Sequence, residues 1–175
     1  RSESEISPRL GVSWRPMEGL QVFGNVARAF RAPSLTELYT DGVHFSTGGF
    51  PTGGPGAPFF TGVNSFVPNP DLEPETSVSF DIGVERQFVD RGSIGATLFF
   101  VEAEDIIDYS FDESRFVQRD GTSTRRGLEI GGTYQVSEDW MLGGAYTYTD
   151  SFSDVKLDSS GWTLAVPRHT LSATV

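Results

Sequence analysis

The stretch FRAPSLTELYTDGVHFSTGGF, residues 30–50, sets one histidine, His44, among aromatic residues and glycines. Imidazole nitrogen is a common metal ligand. His44 is the only imidazole or soft donor in this part of the chain, and the whole chain has two histidines and no cysteine. Absence of cysteine removes thiolate metal sites, disulfide frameworks and cysteine nucleophiles together. No Ser-His-Asp order, phosphate loop or His-Glu-x-x-His motif accompanies the histidine, so catalysis and a catalytic cofactor have no support. An isolated loop histidine facing solvent is the ordinary alternative, and residue types alone leave both readings open.

The segment carrying His44 runs from 31 to 74, longer than a connector between neighbouring strands requires, and such loops are functional or disordered. Its middle, GGFPTGGPGAPFFTG (48–62), is too rich in Gly and Pro to hold a ladder or helix. The flanks read as stiffer. Pro33 ends the preceding strand at Phe30-Arg31-Ala32, and Ser34 with Glu37 reads as a capping box opening a short helical turn through Leu38 and Tyr39. On the far side Pro68-Asn69-Pro70-Asp71-Leu72-Glu73-Pro74-Glu75 is a rigid turn cluster that re-enters the sheet at Thr76.

The remaining sequence has the period of strands. In 77–88, Val78, Phe80, Ile82, Val84 and Phe88 alternate with Ser77, Ser79, Asp81, Gly83, Glu85 and Gln87, and only Arg86 breaks the apolar side. The same alternation occupies 93–100, 127–135 and 140–149, and 9–15, 20–30 and 167–175 are weaker candidates. Connections alternate in length too: short polar turns at 16–19, 89–92 and 136–139 separate excursions at 31–74, near 111–115 and at 151–166. Together these predict an all-β, antiparallel up-and-down meander whose apolar faces meet outer-membrane lipid. Phe88, Tyr134, Trp140, Tyr146 and Tyr148 read as an interfacial girdle. A soluble β-sandwich alternates as well, and on this pattern alone it stays open.

Composition narrows the partners. Net charge is −11, from 24 acidic against 13 basic residues, which argues against nucleic acid. No window approaches the roughly 20 apolar residues of a membrane helix, a limit that leaves barrel strands untouched. The acidic residues Glu102, Glu104, Asp105 and Asp108 read as a solvated rim rather than a calcium site, lacking the EF-hand spacing. Arg119, Arg125 and Arg126 with Glu129 read as a network lining the lumen.

FRAP (30–33) and NPDL (69–72), joined by a loop in which His44 follows Tyr39-x-Asp41, resemble the haem-uptake branch of the TonB-dependent outer-membrane receptors. The likeness extends through PNPDLEPETS (68–77), DGTSTRRGLEIGGTY (120–134) and VPRHTL (166–171), and so covers most of the chain. NPDL differs by one residue from that branch's usual NPNL. The resemblance implies part of a 22-stranded transmembrane β-barrel in the outer membrane of a Gram-negative bacterium, with 31–74 as a long extracellular loop. It implies binding of haem or a haemoprotein at extracellular loops and TonB-dependent import, with haem as the transported ligand.

On that reading His44 is one axial ligand of the haem iron, and Tyr39 a phenolate or hydrogen-bond partner. Phe45 and Phe50 cover porphyrin faces, with Gly42, Gly48 and Gly49 allowing close backbone approach. Arg31 has two readings: it bonds loop carbonyls at the FRAP turn, or it pairs with a haem propionate. The second imidazole comes in this family from a plug domain, which also contacts the TonB complex; His169 reads as a rim residue. Siderophore or cobalamin receptors, a passive porin and a soluble β-sandwich adhesin are the rival readings. Seven candidate strands do not close a barrel, so 1–175 is expected to be part of a longer polypeptide, with plug and remaining strands absent.

Overall fold

A computed structural model describes residues 5–46, 62–155 and 166–175. The strands are β1 (Arg9–Met17), β2 (Leu20–Arg31), β3 (Gly42–Ser46), β4 (Gly62–Phe66), β5 (Glu75–Phe88), β6 (Gly92–Ser110), β7 (Arg115–Gln135), β8 (Met141–Ser153) and β9 (His169–Thr174). One short helix, α1 (Leu35–Tyr39), follows β2. Seven strands form one sheet in the order β1-β2-β5-β6-β7-β8-β9, every neighbour antiparallel, and β3 and β4 form a separate two-stranded ribbon. The expected meander is therefore present, unclosed, with β1 and β9 as its edges.

Register shows why the alternation is so regular. Val26 pairs with Phe80 and Phe80 with Phe100; Ile82 pairs with Leu98, Leu98 with Leu128 and Leu128 with Tyr148. Apolar residues thus line up across strands on one face of the sheet. They are not buried there: Phe80 is 49 %, Ile82 44 % and Leu98 55 % exposed. An apolar sheet face this broad suits hydrocarbon and is costly in water. The other face carries Asn25, Asp81, Thr97, Glu129 and Thr147.

The inward face also has two aromatic residues laid over glycines. A Cβ on Gly127 would stand 2.6 Å from Cζ of Phe99, its cross-strand partner, and Phe23 covers its partner Gly83 in the same way. Inward aromatics opposite outward glycine and arginine, as in Phe23, Gly24 and Arg28, blur the period in 20–30. That is why β2 reads weakly in the sequence although it is a full 12-residue strand.

Short turns at Glu18–Gly19, Val89–Arg91 and Val136–Trp140 occupy one end of the sheet. Arg86, the break in the apolar side of β5, bends to this end and donates from Nη1 to the carbonyl of Glu18 at 3.0 Å. At the other end β6 and β7, 19 and 21 residues long, continue as a hairpin. A strand of 19 residues reaches about 60 Å, whereas a membrane crossing takes roughly ten residues, so this hairpin projects well beyond the apolar band. A register shift between Glu104 and Ile106, with Asp105 at φ 58°, marks where the projecting part begins.

Among the described residues no helix is long and apolar enough to cross a membrane.

Candidate functional site

The projecting end gathers the predicted residues on a rigid base. Ser34 accepts from Glu37 N–H at 3.2 Å while the Glu37 carboxylate accepts from Ser34 N–H at 2.7 Å, so the capping box is complete and starts α1. Asn69, from the NPDL turn, donates its N–H to the Leu38 carbonyl at 3.0 Å and its side-chain amide to the Phe116 carbonyl at 2.8 Å. Gln118 on β7 bonds Glu73 N–H, the Glu73 carbonyl and the Asp105 carbonyl. Both flanks of the long loop are thereby fastened to the β6–β7 hairpin.

Apolar packing backs these bonds. Leu72 is 2 % exposed, and Ile107 and Val117 are also buried. Phe66 at the end of β4 stands 5.0 Å, centroid to centroid, from Tyr109, which meets Phe111 and Phe116 edge-on at 5.0 and 5.5 Å. Val67 N–H donates to the Ser114 carbonyl at 2.8 Å, closing the seat at the hairpin tip.

Arg31 is the centre of the base. Its Nε and Nη2 donate to the two carboxylate oxygens of Glu75 at 2.6 and 2.7 Å, and its Nη1 lies 3.0 Å from both oxygens of Glu37. The side chain thus bonds two carboxylates, not loop carbonyls as the FRAP turn suggested, because the capping-box glutamate and the first residue of β5 both converge on it. Burial pushes the carboxyls of Glu37 and Glu75 up, but hydrogen bonds outweigh it: from Ser34 and Arg31 at Glu37, and from Arg31 and Ile107 N–H at Glu75. Both therefore titrate below the usual carboxylate value. Hydrogen bonding to Glu75 holds the Arg31 guanidinium charged at any attainable pH.

The other expected residues are placed as follows. Tyr39 is the last residue of α1 and 54 % exposed. His44 and Phe45 are in β3, in register with Asn64 and Val63 of β4. Phe50 lies outside the described residues, as does most of 48–62. His169, on the apolar face, bonds the Tyr146 hydroxyl through Nδ1 at 2.9 Å and stacks on that ring. The expected lumen network divides: Arg126 pairs with Asp150 at 3.0 Å in the outward row of Phe100, whereas Arg125 and Glu129 belong to the inward face. Arg119 lies 3.9 Å from Asp108. No group of three or more metal-ligating side chains occurs among the described residues.

Sequence reasoning missed two parts of this site. The Arg31–Glu37–Glu75 clamp was hidden because Glu37 already had a role in the capping box and Glu75 lay in a turn cluster. The β3–β4 ribbon was hidden because five-residue strands with Gly, Ser and Asn carry little period.

An open antiparallel sheet with an apolar outer face, tight turns at one end and an elaborated opposite end is the wall of a membrane β-barrel. The family model described as TonB dependent receptor-like, beta-barrel matches residues 1–175, and the chain belongs to that family, whose barrels are receptors and transporters, not enzymes, of the Gram-negative outer membrane. The hemin receptor of Yersinia pestis is 32 % identical to it over 133 residues, covering 76 % of this chain and 17 % of that protein. The chain thus spans less than a fifth of that relative's length. The hemophore receptor HasR of Serratia marcescens, solved in complex with its hemophore HasA and heme, superposes with a TM-score of 0.67 at 23 % identity over 82 % of this chain and 22 % of that one. The siderophore receptor PirA of Pseudomonas aeruginosa gives 0.63 at 26 % identity over 85 % and 28 %.

Proposed function

We propose that this chain is a section of the barrel of an outer-membrane receptor that binds haem at its extracellular loops and imports it with energy delivered through TonB. The observation that carries the reading is His44 on a two-stranded ribbon whose two ends are fastened to the projecting β6–β7 hairpin by the Asn69, Gln118 and Arg31 bonds. A donor on a fixed base binds with less loss of loop entropy than one on a free arm. The relative named as a hemin receptor supports iron porphyrin as the substrate.

In this reading segment 31–74 is extracellular, His44 supplies one axial nitrogen to the haem iron, and the exposed phenol of Tyr39, at the end of α1, is a phenolate or hydrogen-bond partner. Phe45 and Phe50 cover the porphyrin. Arg31, saturated by two carboxylates, is a strut of the base and leaves propionates to another cation. The second axial ligand and the contact with the TonB complex belong to a plug domain in the rest of the receptor. Likeness to PirA favours a siderophore as the second reading, in which His44 is incidental.

Growth on haem as sole iron source tests the proposal. A strain whose only haem receptor contains this chain should grow, and should stop when TonB is deleted; growth on a ferric siderophore and not on haem points to the second reading.

A further inference from the structure

The inward face holds, at its loop end, a shallow cavity of about 460 Å3 bordered by Arg31 and Glu75 on one side and Arg125 on the other. Its floor is a row of small side chains running across four strands, Ala29, Ser77, Ala103 and Ser123, in direct register. The two arginines differ in one respect. Arg31 is fully engaged by Glu37 and Glu75. Arg125, exposed and paired across strands with Val101 and Ser151, forms no hydrogen bond or ion pair among the described residues.

In a chain with 24 acidic and 13 basic residues, an inward cation without a carboxylate is against the trend. Three nearby carboxylates are engaged, Asp150 by Arg126 and Arg168, Glu75 by Arg31 and the Ile107 N–H, and Asp81 by the Asn25 amide, while Glu102, next to Val101, lies in the outward row of Val78. Glu129, on the same face of β7, is four residues away, roughly 13 Å along the strand, beyond hydrogen-bond reach. A guanidinium presents a planar fork that suits a carboxylate bidentately.

We propose that Arg125 receives an anionic substituent of the transported ligand, a carboxylate borne by the porphyrin, on the inner wall across the cavity from the Arg31–Glu75 pair. This rests on the haem reading above and names the cation that Arg31 does not supply. The cavity is wide enough for a propionate arm, and its small floor leaves the approach to Arg125 open.

The test uses the complete receptor in detergent, titrated with haem and with haem whose propionates are both methyl esters. Wild type should bind the ester about ten-fold or more weakly than haem; Arg125→Ala should lose a similar factor for haem and nothing further for the ester. Equal affinity of wild type for both ligands, or an Arg125→Ala variant that binds haem as wild type does, overturns the assignment while leaving the haem reading standing. A variant that weakens both ligands alike, or melts earlier without discriminating them, overturns it in favour of a carboxylate elsewhere in the receptor. Failure of wild type to bind either ligand refutes the haem reading itself.

Discussion

Arg31 grips both carboxylate oxygens of Glu75, at 2.6 and 2.7 Å, and so ties the last residue of β2 to the first residue of β5 at the two ends of a 43-residue excursion between them. Glu75 also accepts from Ile107 N–H at 2.8 Å, which joins the pair to the projecting hairpin. Glu75→Gln keeps the shape and removes the charge. Half-exposed ion pairs contribute about 0–1 kcal/mol and a backbone-to-carboxylate bond on the order of 1 kcal/mol more. The Ile107 amide should therefore exchange with solvent roughly ten-fold faster in the variant; unchanged exchange contradicts the clamp.

Acid should loosen the same clamp. Glu37 and Glu75 have folded-state pKa values below the ordinary 4.5, so their contribution to stability is present in full above 4.5 and fades as pH falls through the lower folded values. Limited proteolysis of segment 31–74 should be flat between pH 7 and 5 and accelerate only below 4.5. Acceleration already between pH 7 and 6 contradicts this assignment.

Leu72, 2 % exposed beneath the loop, is the NPDL residue that seats the far flank. Leu72→Ala should cost about 2–4 kcal/mol of local stability. Hydrogen exchange across 67–75 and 105–118 should rise together, because these segments share one packed seat, with little change in the strand cores at 78–84 and 94–98.

The two faces of the sheet predict opposite tolerance to charge. Ile82→Arg places a cation on the apolar side near its middle and should cost about 2–4 kcal/mol, read as loss of heat-modifiable folded barrel in the complete receptor. Ser79→Arg, on the polar side, should cost under about 1 kcal/mol. Equal tolerance at both positions contradicts a lipid-facing outer surface.

Strands with one clean apolar side, such as Val78-Phe80-Ile82-Val84 of β5, were legible because lipid on one face enforces a strict period of two. So was α1, since Ser34 and Glu37 form a purely local device. Two features were harder to read, for different reasons. β6 and β7 continue past Phe100 and below Gly127, where neither face meets lipid and nothing enforces alternation. The Arg31–Glu75 pair spans a loop, and no local pattern announces it. His44 stood out by rarity alone, and its setting in β3 opposite Asn64 of β4 required the fold.

The most direct measurement is a haem titration of the complete receptor, followed through the Soret band, comparing wild type with His44→Ala. A shifted Soret band in wild type, and in the variant an altered band with affinity lowered by ten-fold or more, is the predicted result. A variant whose Soret position and haem affinity match wild type contradicts iron ligation by His44.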